Sequence, residues 1–161
     1  MLEKLTPQKA SLVILIVATA TVAGAWIFQF AGYDPCHLCL MQRWAYYFAV
    51  PFSLLLSVSA GANPKGARRG LYFLAVVMLG SAVFGAYHAG VEWKWWEGPD
   101  TCSGDISGGL PDLSKPVVAC NEAALRIAGL SLAGWNAIIS AMLAAIALAG
   151  ARRQGSSSVS Q

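Results

Sequence analysis

Charged side chains divide the chain into apolar blocks. Ala10 to Tyr33, Trp44 to Pro64, Gly70 to Val91 and Ile127 to Ala151 contain no Asp, Glu, Lys or Arg. Each block can supply a helix of about 20 residues, which at about 1.5 Å per residue crosses a hydrocarbon core of about 30 Å. No block alternates cleanly between apolar and polar residues, so a closed barrel, the other way to satisfy every backbone group in lipid, is disfavoured. The pattern predicts an all-α membrane protein, a four-transmembrane-helix bundle with spans at about 12–30, 44–60, 71–90 and 129–149. Residues 1–151 read as one domain with outer loops at 31–43 and 91–128, and 152–161 as a Ser-rich, disordered tail.

The connections refine the bundle. Gly61 to Gly70 is a short polar turn with Pro64 inside it, which makes the second and third spans antiparallel neighbours. Ser81, Gly85 and Ala89 in span three, and Ala133, Ala137, Ala141, Ala145 and Ala149 in span four, recur every four residues as ridges for close helix contact. In the long outer loop, Trp93, Trp95 and Trp96 belong at the interface, followed by a flexible Gly/Pro-rich segment with Gly104, Gly108 and Gly109. Asn121 is placed to cap a short interfacial helix running to Ala128 and ended by Gly129, with Glu122 and Arg126 as an i, i+4 pair.

Composition agrees with a bilayer: of 161 residues, 57% are apolar and only 12% charged, too few charges for a soluble domain. Lys4 and Lys9, then Lys65, Arg68 and Arg69, then Arg152 and Arg153 mark one side. That side is cytoplasmic by the positive-inside rule, so both termini lie inside. These cations explain the net charge of +3, and nucleic acid is not an expected partner. Lys4 and Lys9 before an apolar run, with Ala23-Gly24-Ala25, also suit a cleaved signal peptide. The run continues through Trp26, Ile27, Phe28 and Phe30, which favours a retained span.

All four cysteines fall on the non-cytoplasmic side, where disulfides persist. Cys36 and Cys39 form a C-x-x-C at the mouth of the second span, while Cys102 and Cys120, with seventeen residues between them, lie in the long loop. Pro35 favours a helix start at or just after Cys36, which puts Cys39 in the first turn, where free N–H groups stabilise a thiolate. Arg43 adds a fixed positive charge one turn, about 6 Å, deeper. One anchored pair and one pair in a flexible loop suit thiol–disulfide exchange. The same residues also suit two static disulfides, the distal one closing its loop for about 3 kcal/mol. A zinc site is disfavoured in an oxidising compartment, and no metal is expected. His37 and His88 leave a haem carrier open, and Arg43 alone could be a snorkelling anchor.

The run Pro35-Cys36-His37-Leu38-Cys39-Leu40-Met41-Gln42-Arg43, followed by a span and by two cysteines in the loop between spans three and four, resembles the bacterial disulfide bond formation protein B (DsbB) family. The resemblance extends from Lys9 to about Ala151. It implies a quinone-dependent protein disulfide oxidoreductase of the bacterial inner membrane, with its cysteines periplasmic. A periplasmic DsbA-like dithiol would attack at Cys102, Cys120 would pass the exchange to Cys36, and two electrons would leave from Cys39 to ubiquinone or menaquinone. Arg43 would polarise a quinone oxygen, and His88 is similar to a histidine associated with quinone binding. A vitamin-K-epoxide-reductase-like oxidoreductase, which usually carries its C-x-x-C late in the helix order, and a non-enzymatic scaffold are the alternatives.

Overall fold

A computed structural model describes residues 5–99, 102 and 119–152. Expectations for the Gly-rich loop segment and for the Ser-rich tail fall outside the described residues. The chain is all-helical apart from one very small hairpin: α1 is Pro7–Phe30, α2 His37–Ser59, α3 Pro64–Glu92 and α4 Leu132–Arg152. Between α3 and α4 lie β1, Arg126–Ile127, and β2, Leu130–Ser131.

Local chemistry sets the helix starts. Thr6 and Asn63 occupy the N-cap positions of α1 and α3, each followed by a proline whose missing N–H has no partner to lose there. The Asn63 side chain accepts from Gly66 N–H at 2.9 Å. In α2 the cap is Cys36, whose Sγ accepts from Cys39 N–H at 3.2 Å.

α1, α3 and α4 are each long and apolar enough to cross a membrane. α2 is of similar length at 23 residues but carries Gln42, Arg43 and Pro51. The up-and-down order brings the start of α3 to the end of α4, where Arg68 Nε donates to the Ala151 carbonyl at 2.8 Å. Gly150 lies against Ala10 at the start of α1. The cationic residues Lys9, Lys65, Arg68, Arg69 and Arg152 therefore share one end of the bundle, and the cysteines the other.

Ile14, Leu71, Leu74, Met78 and Leu143 form the centre of the core. Above them, Tyr46 Oη lies 2.8 Å from Ser140 Oγ, which lies 3.0 Å from Ser81 Oγ. These bonds tie α2, α3 and α4 together, each contributing about 1 kcal/mol in lipid. α3 and α4 have the most extensive contact, and at Gly85 they approach closely: a Cβ there would stand 2.9 Å from the Ala137 nitrogen.

Two sequence expectations need correction. The ridge Ser81, Gly85, Ala89 is buried, but in α4 Ala141 and Ala145 are exposed. A four-residue step overshoots one helical turn by about 40°, so a long series drifts off the contact face. The buried face runs instead through Ala133, Asn136, Ser140, Leu143, Ala147 and Gly150.

The interfacial helix from Asn121 to Ala128 does not form. Arg126 pairs with Ser131 and Ile127 with Leu130 in an antiparallel hairpin, and Ala128 (φ 52°) and Gly129 (φ 82°) make its two-residue turn. Two consecutive positive φ values define the turn whose twist matches a hairpin. Gly129 supplies the left-handed backbone, but inside this turn rather than at a helix end. Trp135 Nε1 fastens the hairpin by donating to the Ile127 carbonyl at 3.0 Å.

Candidate functional site: two cysteine pairs beside an apolar cavity

Pro35 precedes the helix, Cys36 caps it, and Cys39 ends its first turn. That spacing brings the two α-carbons to 5.1 Å, and the sulfurs are joined as a disulfide. Cys102 and Cys120 form the second disulfide, with α-carbons 5.2 Å apart. Cys36, Leu38, Cys102 and Cys120 make one buried cluster, with Cys39 and Phe84 packed against it. The structure thus brings both pairs together at the end of the bundle opposite Lys9, Lys65, Arg68, Arg69 and Arg152.

Cys39 also faces a second environment. A cavity of about 350 Å³ opens between α1, α2 and α4, with Cys39, Gln42, Arg43, Tyr46 and Asn136 among an otherwise largely apolar lining. Its size falls within the range of small-molecule sites. Arg43 is held in place: Nη1 donates to Gln29 Oε1 at 2.6 Å, and Nη2 to the Ala25 carbonyl at 3.4 Å. The cavity therefore places a sulfur and a fixed positive charge on one wall of an apolar space. A flat, apolar molecule with a polar oxygen at its edge fits that donor set.

His88 is not among the residues lining this cavity. It is almost fully buried behind the disulfide, with Nε2 3.5 Å from Cys36 Sγ and Nδ1 2.6 Å from the Gln42 side-chain amide. Glu92, one turn further along α3 and also buried, brings Oε1 to 3.9 Å from His88 Nε2. Its Oε2 has no hydrogen-bond partner among the described residues. The sulfurs of Cys36 and Cys39 and a ring nitrogen of His88 lie within 4.8 Å of one another.

Sequence reasoning did not single out Gln29 or Glu92, and met Gln42 only as part of the Pro35–Arg43 run. A signal existed for the first two. Gln29 is the sole side-chain amide in the first charge-free block, and polar groups in a membrane helix mark function by default. Glu92 stands four residues after His88, on the same helical face.

Comparison with known proteins gives a consistent set of relatives. The family described as disulfide bond formation protein DsbB matches residues 7–150. The chain is 32% identical to disulfide bond formation protein B of Pseudomonas syringae pv. tomato over 142 residues, 80% of each chain. It is 29% identical to the protein of that name from Albidiferax ferrireducens over 139 residues, 78% of this chain and 76% of the relative. An uncharacterized protein of Rickettsia prowazekii, RP370, is 24% identical over 145 residues. No solved structure gives a significant match.

Proposed function

Since the chain belongs to the disulfide bond formation protein DsbB family, and is thus a disulfide-forming membrane protein, we propose that it is a quinone-dependent oxidase of a periplasmic DsbA-like dithiol. It spans the bacterial inner membrane four times with both termini in the cytoplasm, and its cysteines work at the periplasmic face. The observation that carries this proposal is the double environment of Cys39, which packs against the cluster containing the distal disulfide and also lines the apolar cavity beside Arg43.

The steps balance as thiol exchange. A thiolate of the reduced partner attacks Cys102, giving a mixed disulfide and releasing Cys120 as thiolate. The partner's second thiolate then closes its own disulfide and releases Cys102. Cys120 attacks Cys36, which releases Cys39 as thiolate. Cys102 next attacks Cys120, re-forming the distal disulfide and releasing Cys36. The first turn of α2 and the Arg43 guanidinium both favour negative charge at Cys39. A quinone bound in the cavity would accept the two electrons and two protons that return Cys36 and Cys39 to a disulfide. Arg43, fixed by Gln29 and the Ala25 carbonyl, supplies positive charge where a bound oxygen would gain electron density. His88 stands against the Cys36 sulfur and Gln42 holds the His88 ring, so the two together position that sulfur.

The test is purified protein in detergent, with a reduced DsbA-like substrate and a quinone whose reduction is followed optically. Quinone should be consumed mole for mole with the substrate dithiol, and Cys39→Ser should abolish consumption. Retention of the parental rate in Cys39→Ser would sink the assignment. Four thiols that stay oxidised throughout would instead favour a static scaffold.

A further inference from the structure

We propose that reduction of the Cys36–Cys39 disulfide opens a binding site for a thiophilic divalent metal ion of the zinc class, held by both sulfurs and His88 Nε2, with the Glu92 carboxylate beside the histidine. The oxidised pair cannot serve, because metal binding by cysteine needs thiolates. The site is therefore gated by redox state, and a bound ion holds the pair in its dithiol form. This goes beyond the oxidase function and does not depend on the identity of the electron acceptor.

Geometry argues first. Bonds of about 2.3 Å to sulfur and about 2.0 Å to imidazole nitrogen set tetrahedral sulfur and nitrogen ligands roughly 3.5 Å apart. Cys36 Sγ and His88 Nε2 are 3.5 Å apart. The Cys39 sulfur belongs to the same group of atoms within 4.8 Å, and the helix cap keeps the two α-carbons at 5.1 Å.

The surroundings argue second. A metal-bound histidine usually donates its other ring N–H to an oxygen, which fixes the tautomer. The Gln42 amide nitrogen lies 2.6 Å from His88 Nδ1. With its oxygen turned to the ring it accepts Nδ1–H and leaves the Nε2 lone pair facing the sulfurs.

Glu92 is an independent indication. Its carboxylate is buried, Oε2 has no partner among the described residues, and Oε1 stands 3.9 Å from the same Nε2. Ser131 and Arg126 already act on this carboxylate, and a cation held by His88 would add positive charge beside it.

No oxidation or reduction occurs at the metal. The Cys36–Cys39 disulfide takes two electrons and two protons from a dithiol, which becomes a disulfide, and leaves two thiols. A divalent ion then displaces the two thiol protons. The pair can close again only after the ion departs, so excess zinc-class metal should stall the protein in its reduced state.

The experiment uses full-length protein in detergent carrying Cys102→Ala and Cys120→Ala, so that the distal thiols cannot compete. After reduction with a phosphine it is titrated with Co²⁺, and Zn²⁺ affinity is read by competition with a chromophoric chelator. One equivalent of Co²⁺ should bind, with the thiolate charge-transfer and visible bands of a tetrahedral site, and Zn²⁺ should displace it. His88→Ala should weaken Zn²⁺ binding at least about tenfold, and Gln42→Leu by about tenfold. X-ray absorption on the Zn²⁺-loaded parent should show two sulfur neighbours and imidazole scattering, an answer that does not require the His88 variant to fold. Equal affinity in the oxidised and reduced forms, unchanged affinity in His88→Ala, or absence of imidazole scattering would each overturn the proposal.

Discussion

Arg43 on α2 is fastened to Gln29 on α1 by a hydrogen bond of 2.6 Å, so the charge on the cavity wall is positioned by a neighbouring helix and not by its own. A hydrogen bond to a charged group is worth about 1.5–3 kcal/mol when its loss leaves the ion mispositioned. Gln29→Leu should therefore raise the KM for quinone by about tenfold or more, with little change in membrane insertion. Initial rates against quinone concentration measure this. An unchanged KM would mean that Arg43 does not need its anchor.

In the proposed function Arg43 acts through charge and shape. Arg43→Lys keeps the charge but loses the fork that reaches both Gln29 and the Ala25 carbonyl. It should weaken quinone use mildly and Arg43→Met strongly, while both proteins insert normally. Equal activity of the Met and Arg proteins would remove Arg43 from the site.

The order of exchange is open to trapping. A partner left with a single cysteine should accumulate a mixed disulfide with Cys102, because its thiolate breaks the Cys102–Cys120 bond and no second partner thiolate is there to close the partner's own disulfide. Cys102→Ala should lose that adduct, and Cys36 and Cys39 should still be oxidised by quinone. Non-reducing gels with a partner lacking its own second cysteine would display the species. An adduct that survives Cys102→Ala would reverse the proposed order.

Helix packing gives a paired test. A methyl group at Gly85 would meet the Ala137 backbone at 2.9 Å, whereas nothing lies within 4 Å of one at Gly80. Gly85→Val should lower stability by about 1–3 kcal/mol. Gly80→Ala should be neutral or slightly stabilising, because alanine favours the helix. Thermal inactivation in detergent separates the two, and equal behaviour would mean that α3 and α4 are less closely packed at Gly85.

Ala128 carries a left-handed backbone at φ 52° in the hairpin turn. Ala128→Gly should stabilise the protein by about 1 kcal/mol by removing the steric cost of a Cβ there. Unfolding in denaturant would detect it, and a destabilised variant would argue against the turn.

The all-helical architecture was legible because charges bracket the apolar blocks and a Gly/Pro turn separates the second from the third. Less legible was how each helix is rotated. The alanine series in α4 has a small-residue period, but the contact face follows the helix's own repeat. The segment from Asn121 to Gly129 carried a cap signal at one end and a glycine at the other, and a positive φ at glycine serves a hairpin turn as well as a helix end. Within the site, the C-x-x-C and Arg43 announced themselves by spacing. The bond from Gln29 to Arg43 did not, since it depends on how two helices face each other across an intervening loop. His88 was visible as a polar residue near a helix end, yet its place behind Cys36 needed the third dimension.

In the proposed cycle Cys36 is a reacting sulfur, and it is also the group that caps α2 through the Cys39 amide. Each change in its bonding therefore alters the strength with which that first turn is tied down, since a free thiolate accepts a hydrogen bond more strongly than a disulfide sulfur. The Cys39 N–H becomes a resident gauge of the catalytic cycle. Its proton resonance should move with every half-turnover, so the progress of electrons can be followed at a single backbone amide without any added dye.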